Sequence, residues 1–321
     1  MRPLLTVAVV AIVSALALAV WTWQEFESPG PNPVDKTVIL PRGASLRAIA
    51  NRLGEEGVLG QPAVFVFAVM LSGQGQRLKA GEYRFAASLS PRGVMDLLAS
   101  GRVVVRKLPA PEGLTVAEIY SLVAQADGLA GDMPPLPPEG ALLPQTYNFV
   151  HGDERRAMVE RMSKAMSDTL AELWAKRRPD LPYRTPQEAV VMASIIEKET
   201  AVAEERPKIA SVFVNRLRRG MRLQSDPTVA YGINPTRGDL DRPLTRDDLD
   251  RHTAWNTYRI EGLPPTPIAS PGRASLEAAL QPQANPYLYF VADGTGGHAF
   301  AETLDEHNRN VARWRKLQSG R

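Results

Sequence analysis

A chain of 321 residues is long enough for about two domains with cores of their own, and 44% apolar with 23% charged residues is ordinary for a globular protein. The net charge of +3 gives no broad cationic field for nucleic acid. The absence of cysteine excludes disulfides, thiolate metal sites and a cysteine nucleophile.

From Pro3 to Gln24 no side chain is charged, and residues 4–20 are almost wholly Leu, Val, Ala and Ile. About 20 such residues in a helix cross the ~30 Å hydrocarbon layer, and Trp21 and Trp23 fall where an aromatic belt belongs. Arg2 precedes the span and Glu25 and Glu27 follow it, which places the N-terminus inside and the remainder outside. A cleaved signal peptide is the alternative, with Ala-x-Ala pairs at Ala15–Ala17 and Ala17–Ala19. The long core and the tryptophans after it favour a retained single-pass anchor over residues 1–24.

A spacer follows over 25–35, stiffened by SPGPNP at 28–33. KTVIL (36–40) reads as a strand. Ser45 caps a helix with Leu46, Ile49, Ala50 and Leu53 on one face, Pro62 starts a second helix through Met70, and GEYRF (81–85) returns as a strand. The order Pro41-Arg-Gly43-Ala-Ser45-Leu46-x-x-Ile49 recurs as Pro111-Glu-Gly113-Leu-Thr115-Val116-x-x-Ile119, with Glu118 completing a capping box on Thr115. This pattern resembles the LysM module, a small fold that binds N-acetylated glycans; a plain strand-turn-helix scaffold has the same marks. The region 36–130 is read as this LysM-like part with its following helices, and the proline-rich 131–150 as a linker.

Residues 151–321 make a second domain of long helices, loops and a hairpin. Tyr287–Ala292 and His298–Ala301 flank the turn-rich 293–297, and 302–318 form a last polar helix. The fold class is therefore α+β: an N-terminal membrane helix, the strand-helix-helix-strand region, and a mixed helical and antiparallel-hairpin domain.

Within that domain Thr185-Pro186-Gln-Glu188 is a capped helix start with proline at the first helical position. The helix 189–199 is apolar nearly all round and should be buried, yet it ends on Glu197-Lys198-Glu199. Residues two apart on a helix point about 200° away from each other, so the two glutamates cannot face one another. Glu199 stacks over Ile195 and Ile196, Glu197 over Ala193 and Ser194. Glu199 is thus the more desolvated, and desolvation raises a carboxyl pKa toward that of a general acid. Two solvated glutamates at a helix end are the plain alternative.

The strings 222–232, 253–272 and 287–300 combine Gln, Asn, Thr, Asp and Tyr with repeated prolines, which suits rigid loops lining a polar cleft for carbohydrate. Met192-Ala-Ser-Ile-Ile-Glu-Lys-Glu-Thr200, Ser211-Val-Phe-Val-Asn-Arg-Leu217, Met221-Arg-Leu-Gln-Ser-Asp-Pro-Thr-Val229, Tyr258 with Gly262-Leu-Pro-Pro265, and Pro286-Tyr-Leu-Tyr-Phe-Val-Ala292 with His298-Ala-Phe300 stand in order. They resemble the endolytic murein transglycosylases of the MltG (YceG-like) family over essentially the entire chain. The resemblance implies an inner-membrane enzyme facing the periplasm. Such an enzyme cuts nascent peptidoglycan strands internally and leaves 1,6-anhydro-N-acetylmuramic ends. The family's catalytic glutamate corresponds to Glu199. A penicillin-binding synthase or the elongation machinery is the partner it implies. Glu139-Gly-Ala-Leu-Leu-Pro-Gln145-Thr-Tyr147 departs from the family pattern: it is one residue short and has Gln145 where an aspartate is usual, so it is read as interdomain packing.

Around Glu199, the candidate substrate-binding residues are Asn215, Arg216, Gln224, Asp226, Thr228, Asn256, Thr257, Tyr258 and His298. Asp226, ahead of a proline, is either a turn-former or a cleft residue. Arg216 meets either a substrate carboxylate or Glu197 or Glu205. Tyr231 and Tyr289 stack on sugar rings or fill core. The histidines are scattered, no metal or cofactor is expected, and Ser194 with Lys198 at i+4 is a disfavoured nucleophile pair. A lytic transglycosylase leads; a hydrolytic muramidase using Asp226 as second carboxylate and a non-catalytic scaffold for cell-wall synthesis are the rivals.

Overall fold

The computed structural model describes residues 2–319; Met1, Gly320 and Arg321, the extremities of the expected anchor and second domain, lie outside the described residues. Two compact units emerge, one comprising the chain as far as Arg106 together with Asn148–Asp153, the other Lys107–Tyr147 together with the chain from Glu154 onward. Residues 107–130 and most of the expected linker therefore fold with the second unit.

The first unit begins with α1 (Arg2–Glu27), followed by β1 (Lys36–Leu40), α2 (Leu46–Glu55), α3 (Pro62–Leu71), β2 (Gly81–Phe85) and α4 (Pro91–Ser100). The strand-helix-helix-strand expectation holds: β1 and β2 pair antiparallel from Lys36 opposite Phe85 to Leu40 opposite Gly81. Their alternate residues Val38, Leu40, Tyr83 and Phe85 are buried with Ile49 and Leu53 of α2. Ser45 caps α2 by accepting from the Ala48 N–H. Helix α4 is an addition to the expected elements; Ser90 caps it and Pro91 opens it. The one long apolar segment among the described residues, Thr6–Glu27, is long and apolar enough to cross a membrane and is almost wholly unburied.

The second unit takes in most of β3 (Val105–Pro109), then α5 (Val116–Gln125), β4 (Leu129–Ala130), parts of β5 (Thr146–Val150) and β6 (Asp153–Glu154), and α6 (Arg155–Ala175). After these come α7 (Pro186–Glu199), α8 (Arg206–Arg218), α9 (Asp226–Ile233), α10 (Arg246–Asp250), α11 (Arg273–Leu280), the hairpin β7 (Tyr289–Ala292) and β8 (His298–Ala301), and α12 (Leu304–Ser319). Helix α7 is its centre: α6, α8, α9 and α11 all pack on it, and every residue from Ala189 to Ile196 is buried. Thr185 accepts from the Glu188 N–H, but the Glu188 carboxylate turns to the Arg184 N–H, so only half of the expected capping box closes. The box on α5, Thr115 with Glu118, closes fully. Strand β7 starts two residues later than expected. Asn215 and Arg216 of α8 donate to the Tyr287 and Leu288 carbonyls.

Candidate active site around Glu199

Glu199 is the last residue of α7, delivered to the end of a buried helix whose position its apolar neighbours fix. The residue keeps some solvent access, but its carboxyl is enclosed by protein. Burial raises its pKa to about 7; the Ser225 hydrogen bond pulls the other way, Asp226 adds to the rise, and His298 and Arg216 oppose it. The Ser225 hydroxyl donates to Oε1 at 2.5 Å.

Ser225 is not among the residues that the sequence singled out, and its role is unusual for its place. It stands at the N-cap of α9, where a serine hydroxyl ordinarily accepts from the helix's first N–H groups. Here no such bond forms; the hydroxyl is turned to Glu199 instead. Two threonines hold Ser225 in that pose. The Thr257 hydroxyl accepts from the Ser225 N–H at 2.9 Å, and the Thr228 hydroxyl donates to the Ser225 carbonyl at 2.6 Å. The two hydroxyls meet each other at 2.9 Å. Just before the clamp, Gln224 sits at φ +53, a left-handed conformation that costs a non-glycine residue about 1–2 kcal/mol. Gln224 is exposed, and its backbone N–H donates to the Thr257 carbonyl at 3.2 Å.

Asp226, the first residue of α9, accepts from the Tyr258 hydroxyl at 2.6 Å. Burial and this acidic partner together raise the Tyr258 pKa. A cavity of about 310 Å³ lies beside Asp226, lined among others by Lys198, Pro227, Ala230, Gly238 and Arg242. His298, at the start of β8, is held by Glu205: its backbone N–H reaches Oε1 at 2.8 Å and its Nδ1 is 2.7 Å from Oε2. The chain passes so close to this carboxylate at Gly297 that a Cβ would sit 2.8 Å from Oε1.

The remaining candidates are engaged by the protein itself. Asn256 is fully buried, donates to the Leu249 and Arg251 carbonyls and accepts from the Tyr258 N–H. Asn215 donates to the carbonyls of Asn285 and Tyr287. Arg216 is buried and pairs with neither Glu197 nor Glu205: Nε donates to the Leu288 carbonyl at 2.7 Å and Nη1 to the Leu223 carbonyl at 2.6 Å. Burial lowers its pKa. Tyr231 is core, edge-on to Trp255 at 5.6 Å, and Tyr289 stacks on His307 at 5.2 Å. Ser194 is closed off, donating to the Val191 carbonyl and accepting from the Ile268 N–H.

Glu197 does point away from Glu199, as helix geometry requires, but not into solvent. Its side chain is buried, accepts from the Gly272 N–H at 2.9 Å and lies 3.6 Å from Arg206, which also reaches Glu112. A second carboxyl with a pKa raised by burial to about 7 is Glu139, which accepts from the N–H groups of Val116 and Gly140.

The chain is 30% identical to an endolytic murein transglycosylase of Bacillus subtilis (strain 168), the match covering 86% of each chain. It is 28% identical to an endolytic murein transglycosylase of Streptococcus pneumoniae (strain D39), over 86% of this chain and 58% of that longer protein. The crystal structure of a YceG-like protein from Listeria monocytogenes superposes with a TM-score of 0.54 at 31% identity, covering 86% of this chain and 98% of that one. The model of the YceG-like family matches residues 38–313. A match over that much of the sequence, with relatives at this identity, makes the chain a member of the YceG-like family.

Proposed function

We propose that the protein is a membrane-anchored endolytic lytic transglycosylase of peptidoglycan, with Glu199 as its single general acid and base. The observation that carries this reading is one carboxyl, at the end of a buried helix, raised to about pKa 7 and fixed by a serine hydroxyl. It belongs to a chain whose curated relatives are named endolytic murein transglycosylases.

Protonated Glu199 donates to the glycosidic oxygen between N-acetylmuramic acid and N-acetylglucosamine. The C1–O bond breaks as oxocarbenium character develops at C1. The carboxylate left behind then accepts the proton of the muramic C6 hydroxyl, whose oxygen closes on C1 to give the 1,6-anhydro ring. One acid returns to its starting state, and no water is activated, so the second carboxylate of a hydrolase has no task. Asp226 contributes charge: with burial, the larger cause, it raises the Glu199 pKa, and it favours positive charge at C1. The Thr228–Ser225–Thr257 clamp sets the Glu199 geometry, and Gln224 and Tyr258 offer polar groups at its edge.

The apolar α1 anchors this activity at the outer face of the cytoplasmic membrane, near newly made strands and the synthases that make them. The LysM-like order of β1, α2, α3 and β2 serves as the scaffold that receives the anchor, since Phe26 of α1 joins its core.

The full-length enzyme acting on purified glycan strands tests the reading by mass analysis. Internal fragments with 1,6-anhydro ends are expected; reducing ends would instead make it a muramidase, and terminal disaccharides alone would remove the endolytic assignment. The pH profile gives a second check. Activity requires the protonated carboxyl, so kcat/KM should be flat below about pH 7 and fall about tenfold per unit above it. Because Asp226 raises the Glu199 pKa, Asp226→Asn should move that descending limb to lower pH.

A further inference from the structure

Helix α3 reads PAVFVFAVML, without one polar side chain. A helix apolar all round is expected to be covered on every side. Val64, Phe65 and Val69 do enter the first unit's core, but Phe67 is 50% exposed, Met70 67% and Leu71 73%.

What lies next to this bare face says what covers it. Helix α3 packs against α1. Phe26 of α1 is buried in the first unit's core, and Glu27 is tied to Arg92 of α4 at 2.6 Å. One turn earlier, Trp21 and Trp23 are exposed, and Val7 to Val20 present an apolar surface interrupted by Ser14 alone. Tryptophans at the end of such a span mark the headgroup level of a bilayer. The uncovered residues of α3 therefore belong to a helix docked on α1, whose C-terminal turns leave the hydrocarbon there. A groove of about 380 Å³ along α3 is lined by Arg47 and Asn51 of α2 together with Val66, Phe67 and Met70. Apolar side chains beside an exposed guanidinium match the acyl boundary and the anionic headgroups of a lipid leaflet.

We propose that α3 is a second membrane contact, lying in the interfacial layer with Phe67, Met70 and Leu71 at the acyl boundary and Arg47 at the headgroups. This rests on the reading of α1 as a retained membrane span.

The cysteine-free chain makes the test direct, since a single introduced cysteine carries the only thiol. Full-length Met70→Cys, Val13→Cys and Glu55→Cys variants, each labelled with bimane, are reconstituted in vesicles of phosphatidylcholine and phosphatidylglycerol and titrated with brominated lipid. Loss of most of the fluorescence at positions 70 and 13, with none at 55, is expected. Arg47→Gln in the Met70→Cys background should weaken the quenching at 70 when phosphatidylglycerol is present. Quenching at 13 but not at 70 would overturn the proposal while leaving the anchor intact. A blue-shifted but unquenched label at 70 would likewise overturn it, in favour of a second copy or another protein on this face. An unquenched label at 13 would remove the anchor reading, and the proposal with it.

Discussion

Glu199→Gln is expected to abolish glycan cleavage and, at the same time, to make the protein more stable at alkaline pH. Loss of a general acid costs about 10²–10⁴-fold in rate, and glutamine retains the shape and the hydrogen bond from Ser225. The stability effect follows from linkage. With its pKa raised to about 7, the carboxyl holds a proton in the folded state that the unfolded chain has released above its ordinary value of 4.5. The folded state thus binds more protons between those two values, and stability falls as pH rises through that window. Above about pH 7 both states are ionised, and the charge in its enclosed position costs about 2–3 kcal/mol, allowing for the solvent access it keeps. Glutamine has no charge to desolvate. Urea melts of both proteins should give similar stabilities near about pH 4 and a gap of that size near about pH 8, with the glutamine variant the more stable. Wild-type glycan cleavage by the glutamine variant would remove Glu199 from its assigned role. A gap that fails to widen with pH would show that the carboxyl is not kept neutral by burial.

That carboxyl was legible because its cause is local. The cap at Thr185, the proline at 186 and the run of apolar side chains from Ala189 to Ile196 dictate a buried helix. Stacking over Ile195 and Ile196 then separates Glu199 from Glu197 without any tertiary knowledge. The surroundings of Glu197 were not legible: its neighbours Arg206, Gly272 and Glu112 come from three different segments. The role of Ser225 is hidden in the sequence for a related reason. Its position reads as a helix cap, and only the approach of two segments 26 residues apart turns its hydroxyl to Glu199. Composition suggested rigid loops lining a polar cleft over 222–232, 253–272 and 287–300, but Asp226–Ile233 is helix α9 and β7 and β8 occupy much of the third string. Residue type does not tell which way a side chain faces. Thr228, Asn256 and Thr257 face inward with no exposed surface, and their hydrogen bonds shape the loops. The repeat around Pro41 and Pro111 is a true echo of local structure, a turn followed by a capped helix. Yet the two copies belong to different compact units, because a cap fixes a helix start and says nothing of what its apolar face will meet.

Arg216→Met should be among the most destabilising single changes in the second unit. The sequence offers Arg216 as a hand for a substrate carboxylate, and a guanidinium free for that task would lie exposed or beside another acid. Instead it is buried, and no carboxylate lies within 4 Å of it among the described residues. Its donors go to the carbonyls of Leu288 and Leu223, with a longer contact to Arg222, and its guanidinium carbon is 5.4 Å from the centre of the Tyr289 ring. It thus ties α8 both to the segment that leads into the Ser225 clamp and to the entry of the hairpin that carries His298. Methionine fills a similar volume but donates nothing, and each buried carbonyl left without a donor costs about 1–3 kcal/mol. A loss of roughly 3 kcal/mol is expected, read as a fall in melting temperature of roughly 10 °C. Lysine should recover only part of it, since one ammonium cannot span both carbonyls with the geometry of a planar fork. Arg216 also lowers the Glu199 pKa, so any folded Arg216→Met enzyme should carry its descending pH limb to higher pH, opposite in direction to Asp226→Asn. An Arg216→Met protein with the wild-type melting temperature but a raised KM for glycan strands would restore the substrate-binding role and refute the structural one.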